Sequence, residues 1–106
     1  MEENRRNYTL DKALSVNGIV INEVIIDSHV DKHNDHMDDN LILSLVTLLD
    51  GKTYKSKSHQ DGFNYFASML KFNNNTYRLV WLLQDHSFYI GVVTAFKDKR
   101  GKHEIS

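Results

Sequence analysis

The stretch Tyr77-Arg78-Leu79-Val80-Trp81-Leu82-Leu83-Gln84, then Asp85-His86-Ser87, then Phe88-Tyr89-Ile90-Gly91-Val92-Val93-Thr94-Ala95-Phe96-Lys97, decides the fold class of this 106-residue chain. Two apolar runs rich in β-branched and aromatic residues flank a cluster of turn formers, the pattern of two strands and a tight connection. So short a connection forces antiparallel pairing. Phe63–Phe72 has the same character and is separated from the next run by Asn73, Asn74 and Asn75, so a three-stranded meander is predicted. With residues 85–87 as the loop, Gln84 faces Phe88, Trp81 faces Gly91, Val80 faces Val92 and Arg78 faces Thr94. A two-residue loop is the alternative. It lacks the Asn-Gly or Gly-X chemistry such a loop wants, and it breaks the Arg78–Thr94 pair.

Further out, Leu41, Ile42, Leu45, Val46, Leu48 and Leu49 recur three or four residues apart, behind Asp38 and Asp39 and ahead of Gly51. That spacing predicts an amphipathic helix with a glycine stop. Ile19–Ile26, carrying Val20, Val24, Ile25 and Ile26, predicts a strand. Asp27 and Ser28 can each cap a short helix or helical turn over residues 29–36. Residues 1–17 read as a charged N-terminal extension with weak helical spacing at Leu10, Ala13, Leu14 and Val16, residues 52–62 as a polar loop, and residues 99–106 as a tail. The expected architecture is one α+β domain with its core over about residues 19–97, in which an N-terminal strand and helices pack on the antiparallel meander.

Composition narrows the function classes. A hydrophobic content of 41% supports one modest core, and 13 basic against 14 acidic residues leave a net charge of −1. No global positive field marks a nucleic-acid binder, so any such contact must be local. Cysteine is absent, which excludes disulfides and thiolate metal sites and suits a reducing cytosol. The polar first residues do not resemble a secretion signal, and no window approaches the roughly 18 apolar residues of a membrane span. Delivery as part of a larger effector would leave no trace in such a sequence.

His29, Lys32, His33 and His36 form the densest titratable cluster, and on a helix the first three share a face. Histidine near neutral pH can take up or release a proton. Two such groups beside a cation are what cleavage of RNA by its own 2′-hydroxyl needs, with no metal or other cofactor. The plain alternative is a solvated polar segment. His29 and His33 are also spaced for a metal ion, but a metalloprotease glutamate is missing and no metal site is expected. Arg78 in an apolar strand requires a partner: a helix carboxylate such as Asp39, or a bound phosphate. Thr94 is either an ordinary strand threonine or a hydroxyl donor. Tyr65, Tyr77 and Tyr89 are first of all core or cross-strand aromatics, with base stacking as their other use. Lys97, Lys99, Arg100 and Lys102 form a basic end that can attract a phosphate backbone.

The order of strand, histidine-bearing helix, apolar helix and meander resembles the Barnase, EndoU, Colicin and RelE (BECR) superfamily of small ribonuclease toxins, close to polymorphic and contact-dependent toxin domains. The matching residues are Ile26-Asp27-Ser28-His29, Lys32-His33, residues 40–49, Tyr77-Arg78-Leu79-Val80-Trp81 and Ile90-Gly91-Val92-Val93-Thr94-Ala95-Phe96. The resemblance implies a toxin-like endoribonuclease acting on RNA, often tRNA, in the cytoplasm and neutralised by a cognate immunity protein or antitoxin. It implies His33 and His29 as acid and base, Arg78 as phosphate clamp, Thr94 as a positioning hydroxyl and Lys32 as an electrostatic aid. The extra histidines His36, His59 and His86, and the near-neutral charge, depart from that pattern. A non-catalytic protein-interaction domain is the other expectation.

Overall fold

Three two-residue connections with left-handed backbone set most of the architecture. The computed structural model describes residues 5–27 and 37–98. Asn17 and Gly18, with φ of 54° and 75°, join β1 (Arg6–Val16) to β2 (Ile19–Ile26). Asp61 and Gly62, at 56° and 83°, join β3 (Ser58–Gln60) to β4 (Phe63–Phe72), and Asn73 and Asn74, at 53° and 67°, join β4 to β5 (Asn75–Gln84). Positive φ at both central residues matches the twist of antiparallel strands, and Asn, Asp and Gly reach it at least cost. A four-residue connection leads to β6 (Tyr89–Lys97). The helix α1 (Asp39–Thr47) starts at Asp38, whose carboxylate accepts from the Leu41 amide at 2.8 Å.

The strands form one curled sheet in the order β1-β2-β6-β5-β4-β3, a half-barrel. All neighbours are antiparallel except β2 and β6, which run parallel from Glu23 opposite Tyr89 to Ile26 opposite Val92. One face carries Val24, Ile26, Leu79, Trp81, Leu83, Ile90, Val92 and Ala95, all buried, in one cluster with Ile42, Leu45, Val46 and Leu49. Trp81 is at its centre, stacked on Phe66 at 4.1 Å and met edge-on by Tyr54 at 5.4 Å. Its indole N–H donates to Ser68 Oγ at 3.0 Å. Beyond α1, the Gly51 amide donates to the Ser15 carbonyl at 2.6 Å, and Asn17 and Tyr54 exchange side-chain and backbone hydrogen bonds at 2.5 and 3.0 Å. The chain leaving the helix is thus tied to the first hairpin.

Several expectations are corrected. The molecule is mostly sheet with one short described helix, a six-stranded half-barrel rather than an α+β arrangement of helices on a three-stranded meander. The N-terminal extension is strand β1, because Arg6, Tyr8 and Leu10 alternate with more exposed neighbours and Asn17-Gly18 turns the chain back. Part of the 52–62 loop is β3, returned by Asp61-Gly62. The expected helix over residues 29–36 lies outside the described residues. The β5–β6 register also differs: Arg78 pairs with Phe96, Val80 with Thr94, Trp81 with Val92 and Leu82 with Gly91. Its cause is a connection of four residues rather than three, together with a bulge that leaves one extra residue, Val93, between Val92 and Thr94.

Candidate functional site

The second face of the sheet has no helix on it among the described residues. Along β5 the buried Tyr77, Leu79, Trp81 and Leu83 alternate with Arg78, Val80, Leu82 and Gln84, which are only half-buried. Register extends this second face into rows across the strands: Phe63, Gln84 and Tyr89; Tyr65, Leu82, Gly91 and Ile25; Met69, Arg78 and Phe96. Apolar and aromatic side chains thus surround one guanidinium. Among the described residues Arg78 makes no hydrogen bond or ion pair, and Asp39, its expected alternative partner, is engaged elsewhere.

Arg78 and Thr94 occupy the same face, Thr94 two residues along from Phe96, so they are diagonal neighbours rather than opposed. Diagonal Cβ separations of about 7–8 Å lie within reach of an arginine. Thr94 Oγ1 is buried and has no hydrogen-bond partner among the described residues. A buried hydroxyl without a partner is uncommon and costly. That oxygen is out of contact with solvent, whereas Arg78 is only half-buried. Tyr65 is half-buried on the second face, whereas Tyr77 is buried on the core face, and Lys97, its cross-strand partner, extends from that same side. His29, Lys32, His33, His36, Lys99, Arg100 and Lys102 lie outside the described residues.

The two described histidines stand elsewhere. His59 Nε2 lies 3.1 Å from Asp85 Oδ2, and Asn64 Nδ2 donates to Asp85 Oδ1 at 3.1 Å. Asp85 is seven residues beyond Arg78 along β5, on the order of 20 Å, so His59 and Arg78 do not meet on one phosphate. Among the described residues no group of three or more metal-ligating side chains occurs, and no described helix is long and apolar enough to cross a membrane.

A second cluster lies beside the α1 N-terminus. Arg6 donates from Nε and Nη2 to the two Asp39 oxygens at 2.8 and 2.9 Å, and the Tyr8 hydroxyl donates to Asp39 Oδ2. The forked pair holds the Asp39 carboxyl below its ordinary value of 3.8. The same carboxylate, holding the Tyr8 proton, raises that hydroxyl above 10.0. Ionised Asp39 therefore contributes stability that is complete above 3.8 and is lost as pH falls through its lowered value. The Tyr8 contribution is complete below 10.0 and is lost as pH rises through its raised value. Asp39→Asn is expected to lower the melting temperature near neutral pH by about 4–8 °C, for a loss discounted to about 1 kcal/mol by partial exposure. The gap to wild type should close as pH falls below 3.8 and on through the lowered Asp39 value, which melting curves across pH check directly.

A cleft of about 130 Å³ opens on the second face between β2, β5 and β6, lined by Ile25, Phe63, Leu82, Tyr89, Gly91 and Val93, with Arg5 and Asp27 also contributing. The Leu82 side chain lies over Gly91, its Cδ1 only 2.8 Å from where a Cβ would stand. The Tyr89 hydroxyl donates to Gln84 Oε1 at 2.9 Å, which fixes one wall, and burial raises its pKa so that it stays a donor. Sequence reasoning did not assemble this cleft. Its one signal is a glycine inside an apolar strand, which marks a close approach. No protein-family model matches the chain, and no curated protein or solved structure matches it.

Proposed function

We propose that this protein is a metal-independent endoribonuclease that cleaves RNA, tRNA in particular, through attack of the substrate's own 2′-hydroxyl. The observation that carries the reading is Arg78, a guanidinium without an ion pair among the described residues, set among Met69, Val80 and Phe96 on a sheet face lined with aromatic rings. Apolar surroundings lower the local dielectric and strengthen its hold on a phosphate, while Tyr65 and Phe63, their rings 6.4 Å apart, offer stacking surface. His33 and His29 supply acid and base and Lys32 further positive charge, on a segment that follows Asp27 at the end of β2. A cognate immunity protein or antitoxin is the partner this reading requires, and the cytoplasm its place of action.

The test is incubation of the purified chain with total RNA and with tRNA in EDTA. Cleavage leaving 2′,3′-cyclic phosphate ends is expected, and His33→Ala or His29→Ala should each reduce it by about 10²-fold or more. Intact RNA after prolonged incubation, or unchanged cleavage by both variants, overturns the proposal. A non-catalytic protein-binding role has its own observation, the exposed apolar side chains Met69 and Phe88, 48% and 62% accessible. Uncut RNA together with a stable protein complex lost on Met69→Asp would favour it.

A further inference from the structure

We propose that the cleft of about 290 Å³ at one end of the half-barrel binds an uncharged ring compound with several hydroxyl groups, the chemistry of a monosaccharide. It lies where the β1–β2 turn, the segment after α1 and the facing ends of β4 and β5 meet, and its floor is apolar, made by Ile19, Phe66 and Leu83. Leu83 stands an odd number of residues from Arg78 along β5, so this cleft opens on the core side of the sheet, away from Arg78. Ligand binding here is independent of the ribonuclease reading. The mouth of a curled sheet is a common place for a small ligand, and a volume just under the roughly 300–1,000 Å³ of pockets for larger ligands suits a single ring.

The walls are fixed before any ligand arrives. The Asn17 side chain holds the Tyr54 backbone through hydrogen bonds at 2.5 and 3.0 Å, and the Tyr54 hydroxyl donates to the Leu49 carbonyl at 3.3 Å. The Lys57 amide donates to the Tyr65 carbonyl at 2.7 Å, so Ser56 sits between two anchored positions. Asn64 donates from Nδ2 to Asp85 Oδ1 at 3.1 Å, and Asp85 is itself held by His59 at 3.1 Å and by its own amide, which donates to the Gly62 carbonyl at 2.8 Å. Among the described residues the Asn64 Oδ1 and the Ser56 hydroxyl make no hydrogen bond. These two groups and the absence of charge define the ligand. Among the described residues no charged side chain lines the cleft, so a phosphate, carboxylate or ammonium would give up its hydration without a counter-charge. A wholly apolar ligand would leave Ser56 and Asn64 unpaired. A pyranose meets both demands: its C–H face covers the apolar floor, while its hydroxyls, each a donor and an acceptor, pair with Ser56 Oγ and Asn64 Oδ1. Walls already in place keep the ordering cost of binding low.

The experiment is titration of the ¹⁵N-labelled full chain with glucose, galactose, mannose and N-acetylglucosamine, and with the phosphorylated form of any sugar that binds, followed by the Leu83 amide and the Asn64 side-chain amide. At least one neutral sugar should shift both with a Kd on the order of 1 mM, and its phosphorylated form should bind at least about tenfold more weakly. Ser56→Ala, at an exposed position, should weaken binding by about three- to tenfold and leave the melting temperature unchanged. Ile19→Trp, which fills the cleft, should abolish the shifts while the spectrum elsewhere stays folded; should that variant not fold, Ser56→Ala carries the test. Amides unmoved by all four sugars at about ten times the expected Kd, a phosphorylated form that binds as tightly as the neutral one, or an affinity unchanged in Ser56→Ala each overturn the proposal.

Discussion

Trp81→Ala is expected to cost about 3–5 kcal/mol, enough to unfold much of the population of a domain whose whole stability is of the order of 5–15 kcal/mol. Trp81 is the only tryptophan, has no accessible surface, and touches two separate parts of the chain: Phe66 and Ser68 on β4, and Tyr54 on the segment that ties α1 to the first hairpin. Removing it opens a cavity that Tyr54 cannot fill without leaving its hydrogen bonds to Asn17 and to the Leu49 carbonyl, so that side relaxes little. Trp81→Phe separates the contributions. It keeps a ring on Phe66 and loses the indole donor, leaving Ser68 Oγ without its partner, and should cost about 1–2 kcal/mol. Urea unfolding followed by far-UV circular dichroism measures both. A loss below about 1 kcal/mol for Trp81→Ala would contradict its place at the centre of the core.

Arg78→Ala is expected to lower RNA cleavage by about 10²–10³-fold while leaving the melting temperature almost unchanged. The side chain is half-buried on the second face, its cross-strand neighbours are Met69 and Phe96, and it closes no ion pair among the described residues, so the fold loses little when it is shortened. A phosphorane loses a cation positioned for its charge, and that loss falls on the transition state. Arg78→Lys keeps the charge but not the planar fork and should recover only part of the rate. Rates on one tRNA, with circular dichroism of each variant, give the comparison. An alanine variant that cleaves at the wild-type rate would remove Arg78 from the phosphate site.

Strands β2, β4, β5 and β6 and the helix α1 were legible in the sequence because each carries a run of apolar, β-branched or aromatic residues bounded by turn formers or, for the helix, recurring three or four residues apart. Strand β1 was obscured because Arg6, Asp11 and Lys12 interrupt its apolar positions and its pairing is irregular between Thr9 and Leu14, although Asn17-Gly18 announces a hairpin. Asp61-Gly62 carried the same message for β3. The β5–β6 register failed on a feature no composition rule reports. The longer connection shifts the pairing by one position and the bulged Val93 by one more, so Thr94 kept its face but changed its partner. Arg78 was conspicuous as a charge in an apolar strand. The cleft was not, since Arg5, Asp27, Phe63 and Tyr89 come from four distant points that only the registers of β1, β2, β6, β5 and β4 together collect.

That parallel seam between β2 and β6 has a consequence for the order of events in folding. The first hairpin ends at Ile26 and the strand it must lie against begins at Tyr89, so the sheet is closed by contacts more than sixty residues apart in the chain. During synthesis the hairpins β1–β2, β3–β4 and β4–β5 can form locally, but the edge of β2 stays without its neighbour until β6 has left the ribosome, and topologies of this kind close slowly. Completion of the face around Arg78 waits on the same step, because Thr94 and Phe96 belong to that last strand. The proposed activity is therefore withheld from any nascent or prematurely ended chain.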